Sequence, residues 1–167
     1  MANIIPQGLR DKINRKGLFT VRVDFHIHTS ASKDSAASVE RVIRAARKKG
    51  LGRIVITDHN TIAGALLARE LDPGLVIVGE EIMTTRGEIL AAYVTREIPR
   101  GLPPQEVIQR LRDQGAFISI SHPFDGWRSG AWQEQHLLEI LPLIDAVEVF
   151  NARCLRAIPN IQAQKFA

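Results

Sequence analysis

Apolar residues follow two rhythms along this chain. Compact apolar stretches read as β-strands: 19–25, 54–57, 75–78, 89–94, 116–121 and 145–150. Between them, apolar residues recur at helical spacing. Val39, Val42, Ile43 and Ala46 fall at i, i+3, i+4 and i+7 behind Ser38, a good N-cap, and a basic last turn runs into Gly50. Further helices are predicted over 63–71, from Pro103-Pro104 to Gly115 with Val107, Ile108 and Leu111 inward, over 134–141, and within 154–167. The order β, α, β, α, β, β, α, β, α, β calls for a parallel sheet wrapped by helices, open or closed into a barrel. One link breaks the pattern. Glu80 to Glu88 is too short for a parallel crossover, so the strands it joins are expected to be antiparallel or splayed.

Composition sets bounds on this picture. The 167 residues are enough for one domain with its own core; 45% are hydrophobic and 24% charged, as in ordinary soluble proteins. Residues 1–17, broken by Pro6, Gly8 and Gly17, form a lead-in segment, and 18–167 form the domain. A net charge of +4 suits an anionic substrate but is too diffuse for duplex DNA. The lone Cys154 excludes an internal disulfide, and an inert buried thiol is the expectation. With no membrane-length apolar stretch and no signal-peptide core at the N-terminus, the expected location is the cytoplasm, with no membrane partner. Oligomeric state is not legible.

The chemistry-bearing residues cluster by position. His26/His28, Asp58/His59, Glu80/Glu81, His122 and Asn151 each fall at or just past the carboxyl end of a predicted strand, where parallel α/β folds carry their sites. They include four of the five histidines. The fifth, His136, sits on a predicted helix and reads as a surface residue. His26 and His28 lie two apart on extended chain and share a face, which suits two imidazoles on one metal ion. Alone, a His-x-His more often marks a polar loop; five strand ends in succession shift the balance.

Four motifs in order, Asp24-x-His26-x-His28-Thr29, Thr57-Asp58-His59, Gly79-x-Glu81-Ile82 and Ser121-His122-Pro123, give the chain a resemblance to the PHP (polymerase and histidinol phosphatase) superfamily, especially its small metal-dependent phosphoesterases. The resemblance spans residues 20 to about 152. It implies an α/β fold, a distorted seven-stranded TIM-like β/α barrel, with two or three divalent ions (manganese, zinc or iron). It implies His26, His28, His59, Glu81 and His122 as ligands, with Glu81 bridging. Asp34 resembles a further acidic ligand, one residue beyond the usual spacing from His28. Glu88 lies where relatives often carry a histidine ligand. A late Asp-x-His found in the family is missing after Asn151. The domain is therefore expected to be incomplete at its C-terminal end, as a fragment or truncated gene product, lacking that motif and at least one strand.

The implied reaction is hydrolysis of a phosphate monoester or diester by a hydroxide held between the ions. Candidate substrates are a small phosphorylated metabolite, a nucleotide or an oligonucleotide. The catalytic residues would be His122, Asp58 orienting His59 or a water ligand, and Arg128 clamping phosphate. For Asp58 the alternative is a helix N-cap; for Arg128, a solvated loop charge. Asn151 and Arg153 are further phosphate candidates. Arg86 and Lys33 read as solvated charges, and Trp127 and Trp132 as covers for the barrel mouth. Strand alternation allows only one of Glu80 and Glu81 to face the ions, and the motif selects Glu81. A different class of function, an interaction module with an impaired metal site, is motivated by the missing Asp-x-His.

Overall fold

A computed structural model describes residues 20–167, so the 1–17 segment and Phe19 lie outside the described residues. Six strands run in sequence order across one sheet: β1 (Val23–Ile27), β2 (Arg53–Ile56), β3 (Val76–Met83), β4 (Glu88–Ala92), β5 (Phe117–Ile120) and β6 (Ala146–Val147). The helices between and after them are α1 (Val39–Lys48), α2 (Ala63–Leu71), α3 (Pro104–Arg112), α4 (Glu134–Ile140), continued by a 3-10 turn at Leu141–Leu143, and α5 (Ala157–Phe166).

The helices follow from local chemistry. Ser38 caps α1 by accepting from Arg41 N at 3.3 Å, Glu40 lies in the first turn, and Arg47 and Lys48 close the last. Val39, Val42 and Ala46 face inward. Pro104 opens α3, where a missing N–H costs nothing. Gly50 and Gly115 adopt φ of 63° and 72° just past α1 and α3, the left-handed turn that glycine makes without strain.

β1, β2 and β3 are parallel, and β5 and β6 are parallel. β4 runs antiparallel to both neighbours, which meets the expectation for the short link. Inverting β4 has a consequence for the site. Its first residue, Glu88, pairs with Met83 at the end where the parallel strands finish.

Several strand bounds differ from the sequence reading. β1 starts at Val23 and includes His26; the register with β2 shifts between Asp24 and Ile27. β3 continues through Glu80 and Glu81 to Met83, because the hairpin with β4 supplies hydrogen bonds that make the acidic pair strand rather than loop. β6 is only two residues long, so Glu148 to Phe150 are not strand.

The main core lies between the outer sheet face and the helices. Ile54, Ile56, Val78, Ile82, Ile89, Ile118 and Ile120 meet Ala65, Ala68, Val107, Leu111, Leu137 and Ile140. The sheet curls on its other face. Gly79 allows a close approach on that face, where an added Cβ would come within 2.5 Å of Val55 Cγ1 and 2.6 Å of the Ala91 carbonyl. Curling brings the ring of Phe25 on β1 to 6.1 Å from that of Phe117 on β5. The fold is thus mixed α/β with a curled, half-barrel sheet. Among the described residues it has six strands rather than the seven of a full barrel, and β1 and β6 form its two edges. No described helix is long and apolar enough to cross a membrane.

Candidate metal centre

The floor of the candidate site is Glu81, which is fully buried on the inner face of β3. Its Oε2 lies 3.2 Å from His26 Nε2, 3.0 Å from His28 Nε2 and 3.3 Å from His59 Nδ1. Its Oε1 lies 3.1 Å from His122 Nε2. Four imidazoles from three chain segments therefore surround one carboxylate. Glu80, next in the chain, faces the opposite way and accepts from Ile98 N at 3.0 Å; burial first of all pushes its carboxyl up to about 8.

Glu88 and Asp34 extend the cluster. Glu88 Oε1 is 3.2 Å from His59 Nδ1, and its Oε2 is 3.6 Å from His122 Nε2. Asp34 is 2.9 Å from His28 Nδ1 and 3.8 Å from His59 Nε2. The side chains grade from 0% exposure at Glu81 and His122 to 27% at His59 and 29% at Asp34. The cluster is a pit with its open side at those two residues.

Two observations show that this donor set fits cations. Glu81 Oε2 is buried beside three ring nitrogens, yet none makes a directed hydrogen bond to it. His26 Nε2 and His28 Nε2 face each other at 3.1 Å, an arrangement that needs a proton or a cation between lone pairs. Three overlapping groups of potential ligands result: His26, Glu81 and His122; His28, Asp34 and His59; His59, Glu81 and Glu88. Imidazole with carboxylate suits borderline ions.

Electrostatics follow the geometry. Burial works to raise the Glu81 carboxyl, but the His122 hydrogen bond and the close His26 and His28 rings together hold it well below the carboxylate range. Desolvation works to lower His26, and contacts with Glu148 and Glu81 overcome it, raising the imidazole to about 10. The Glu88 contact raises His59. Asp34 is held well below its ordinary value, since Arg153 and His28 outweigh its desolvation.

The other sequence candidates sort differently. Asp58 is fully buried; its carboxylate accepts from Thr29 N at 2.6 Å and Thr29 Oγ1 at 2.7 Å. It neither caps α2, whose N-cap is Ile62, nor makes a side-chain hydrogen bond to His59; it fixes the chain just after His28. His59 N instead donates to Ser32 Oγ at 3.1 Å. Arg128 Nε donates to Asp125 at 3.1 Å within its own loop. Arg153 Nη1 donates to Asp34 at 2.6 Å and so reaches the rim. Asn151 Nδ2 donates to Glu148, and its Oδ1 accepts from Arg153 N. Arg86 donates to His136, which is half-buried rather than a plain surface residue. Trp132 is buried and donates to the Glu88 carbonyl at 2.9 Å, whereas Trp127 is 76% exposed, with the Arg156 guanidinium 5.3 Å from its ring centre. Cys154 is half-buried, its thiol pushed up to about 11 by burial and then by Asp125.

Sequence reasoning missed Glu148. It lies one residue past β6, 3.1 Å from His26 Nδ1, and accepts from His122 N at 2.7 Å. The available signal was its place on the strand-end rim beside Asn151, which an expected strand running to 150 concealed.

Comparison with known proteins places this arrangement. The PHP domain model matches residues 24–94. An uncharacterized protein of Methanocaldococcus jannaschii is 34% identical over 145 residues, 79% of this chain and 82% of that protein. The chain belongs to the PHP domain family. A second uncharacterized protein of the same organism is 35% identical over 88% of this chain but 60% of its own length. The phosphoribosyl 1,2-cyclic phosphate 1,2-diphosphodiesterase of Eggerthella lenta is 38% identical over 58 residues, 34% of this chain and 22% of that enzyme. Among solved structures, a proposed metal-dependent phosphoesterase from Bifidobacterium adolescentis superposes with a TM-score of 0.69 at 17% identity, over 89% of this chain and 84% of that one. PsfC from Pseudomonas syringae gives 0.63 at 16% identity, over 86% and 70%. At these identities the structural likeness is one of fold. Within the PHP family, this chain's Glu88 and Asp34 join the four histidines and Glu81 in one pit.

Proposed function

We propose that this PHP domain hydrolyses phosphate esters with the help of two or three divalent cations. The observation that carries this reading is the buried Glu81 carboxylate ringed by four imidazoles, with Oε2 left without a directed hydrogen bond. His26, His28, Asp34, His59, Glu81, Glu88 and His122 would hold the ions, manganese, zinc or iron, with Glu81 shared between them. Bound there, such ions supply Lewis acidity toward water and toward the phosphate oxygens. Residues 18–167 act as one domain in this reading.

The chain's own groups orient and select. Asp58 holds Thr29, and through it the segment carrying His28, in register with the His59 segment. His122, fully buried, cannot reach bulk water and is suited to a ligand's role over that of a solvent-exposed proton donor. Arg153, at the open side, presents a guanidinium where a substrate phosphate would arrive, exchanging its bond to Asp34 for one to phosphate. Arg128 is the weaker phosphate candidate, since Asp125 already engages it. The open side at His59 and Asp34 accommodates a small phosphorylated metabolite, nucleotide or oligonucleotide end. The cyclic phosphodiesterase named above supports a phosphoester substrate.

The test is hydrolysis of p-nitrophenyl phosphate and of a nucleoside bisphosphate by chelator-stripped protein with manganese restored. Turnover should return with the metal and be absent from a His26→Ala/His59→Ala variant. No metal-dependent turnover above that variant would refute the reading.

A further inference from the structure

Glu148 touches two candidate ligands at once, by different means. One carboxylate oxygen meets His26 Nδ1 at 3.1 Å, on the ring edge away from Glu81. The other accepts from the His122 backbone N at 2.7 Å. His122 needs that anchor, because its φ of 26° lies where a side-chain-bearing residue is rarely found. Glu148 is itself held. Asn151 Nδ2 donates to its two oxygens at 3.2 and 3.1 Å. Asn151 in turn is fixed through its own backbone by Asn160 of α5, whose Oδ1 accepts from Asn151 N at 3.0 Å and whose Nδ2 donates to Asn151 O at 3.2 Å.

From this geometry we propose that Glu148 is the positioning residue of the centre, held in place by an Asn151–Asn160 clamp from the C-terminal helix. The inference rests on the reading of His26 and His122 as ligands. By accepting from Nδ1–H, Glu148 sets His26 so that the Nε2 lone pair points at the pit, the role a carboxylate plays behind a metal-bound imidazole. By accepting from the His122 amide, it holds that residue's strained backbone and aims its ring at Glu81. A single side chain thereby sets the mutual geometry of ligands on β1 and after β5, across the gap between the sheet edges. Asn151 then serves the clamp, because its Nδ2 is engaged by Glu148 and its Oδ1 by Arg153 N.

The test uses the whole chain with Glu148→Gln, Glu148→Ala and Asn160→Ala. Glutamine keeps the size but offers one acceptor oxygen where two donors must be met. Manganese titration by calorimetry should give affinities about 10–100-fold weaker for both Glu148 variants and a smaller loss for Asn160→Ala, the range found for partners behind metal ligands. Proton NMR of the metal-free chain supplies a readout that needs no metal. The His26 Nδ1–H should appear as a slowly exchanging imidazole signal in wild type and vanish in Glu148→Ala, or in Glu148→Gln if the alanine variant fails to fold. Wild-type protein that binds no manganese but shows this signal sinks the metal reading and leaves the positioning contact standing. Wild-type affinity in folded Glu148→Gln, or a signal that survives loss of the carboxylate, overturns the proposal.

Discussion

At Glu81 a single side chain meets four rings at 3.0 to 3.3 Å, and no single proton arrangement satisfies all of these contacts. Replacing it should therefore cost more than replacing any one imidazole. We predict that Glu81→Gln retains no manganese after gel filtration, while His59→Ala, at the open side, retains part of the wild-type amount; mass spectrometry of the metal content decides it. Equal retention by both variants would contradict the central place given to Glu81. Gly64 offers a second residue-scale test. An added Cβ there would collide with Asp58 Oδ2 and Thr29 Oγ1, the buried pair that fixes the chain after His28. Gly64→Ala should separate the pair and destabilise the fold by about 1–3 kcal/mol, the cost of stranding buried polar groups. Urea denaturation measures this, and an unchanged midpoint would mean the pair has relaxed without loss.

Among the elements, one contact joins α3, β5 and the entry to β6. Arg112 donates to both oxygens of Asp145 at 2.7 and 3.0 Å and to the Leu143 carbonyl at 2.8 Å, while Asp145 also accepts from Ile118 N. The Arg112 hydrogen bonds hold the Asp145 carboxyl below its ordinary value. A depressed carboxyl stabilises the fold above the unfolded-state value of ~3.9, and that contribution fades as pH falls through the folded-state value. Asp145→Asn should thus lower stability by about 1 kcal/mol at pH 7, a figure reduced for a pair still partly in solvent. The deficit should shrink at a second, acidic pH below the folded-state value, where wild type has lost the charge too. Thermal melts at the two pH values test this; a deficit that stays constant would rule the charge out as its source. The same scale shows what the sequence made legible. Helical spacing, Ser38 and the flanking prolines and glycines placed α1 and α3 closely, because those signals are local. Strand ends were harder to read. The acidic pair Glu80-Glu81 looks like a turn in isolation and becomes strand only because β4 folds back on it. In the same way the charged Glu148 was hidden inside an expected strand that the structure ends at Val147. The ordered motifs still picked out Glu81 and all four histidines that converge on it, since their chemistry and spacing are written in the chain; the carboxylate behind His26 depended on sheet curl that no local pattern encodes.

For the molecule as a whole, the candidate ligands come from β1, the loops after β1 and β2, β3, β4 and the turn after β5. Cations bound there would link nearly the full width of the curled sheet, so their binding energy should appear as global stability instead of local ordering. At a free manganese concentration a hundred times Kd, linkage gives about 2.7 kcal/mol per independent site, or roughly 5–10 °C in Tm for a domain of this size. We predict a rise of at least that order in a single cooperative transition, reversed by chelator and abolished in Glu81→Gln. Glu148→Gln should show a smaller rise at the same manganese concentration, since weaker binding lowers the ratio of metal to Kd. Differential scanning calorimetry makes the comparison. If manganese sharpened or shifted only part of the transition, the ions would be tying down the rim loops alone, and the shared hold on the sheet argued from Glu81 would be wrong.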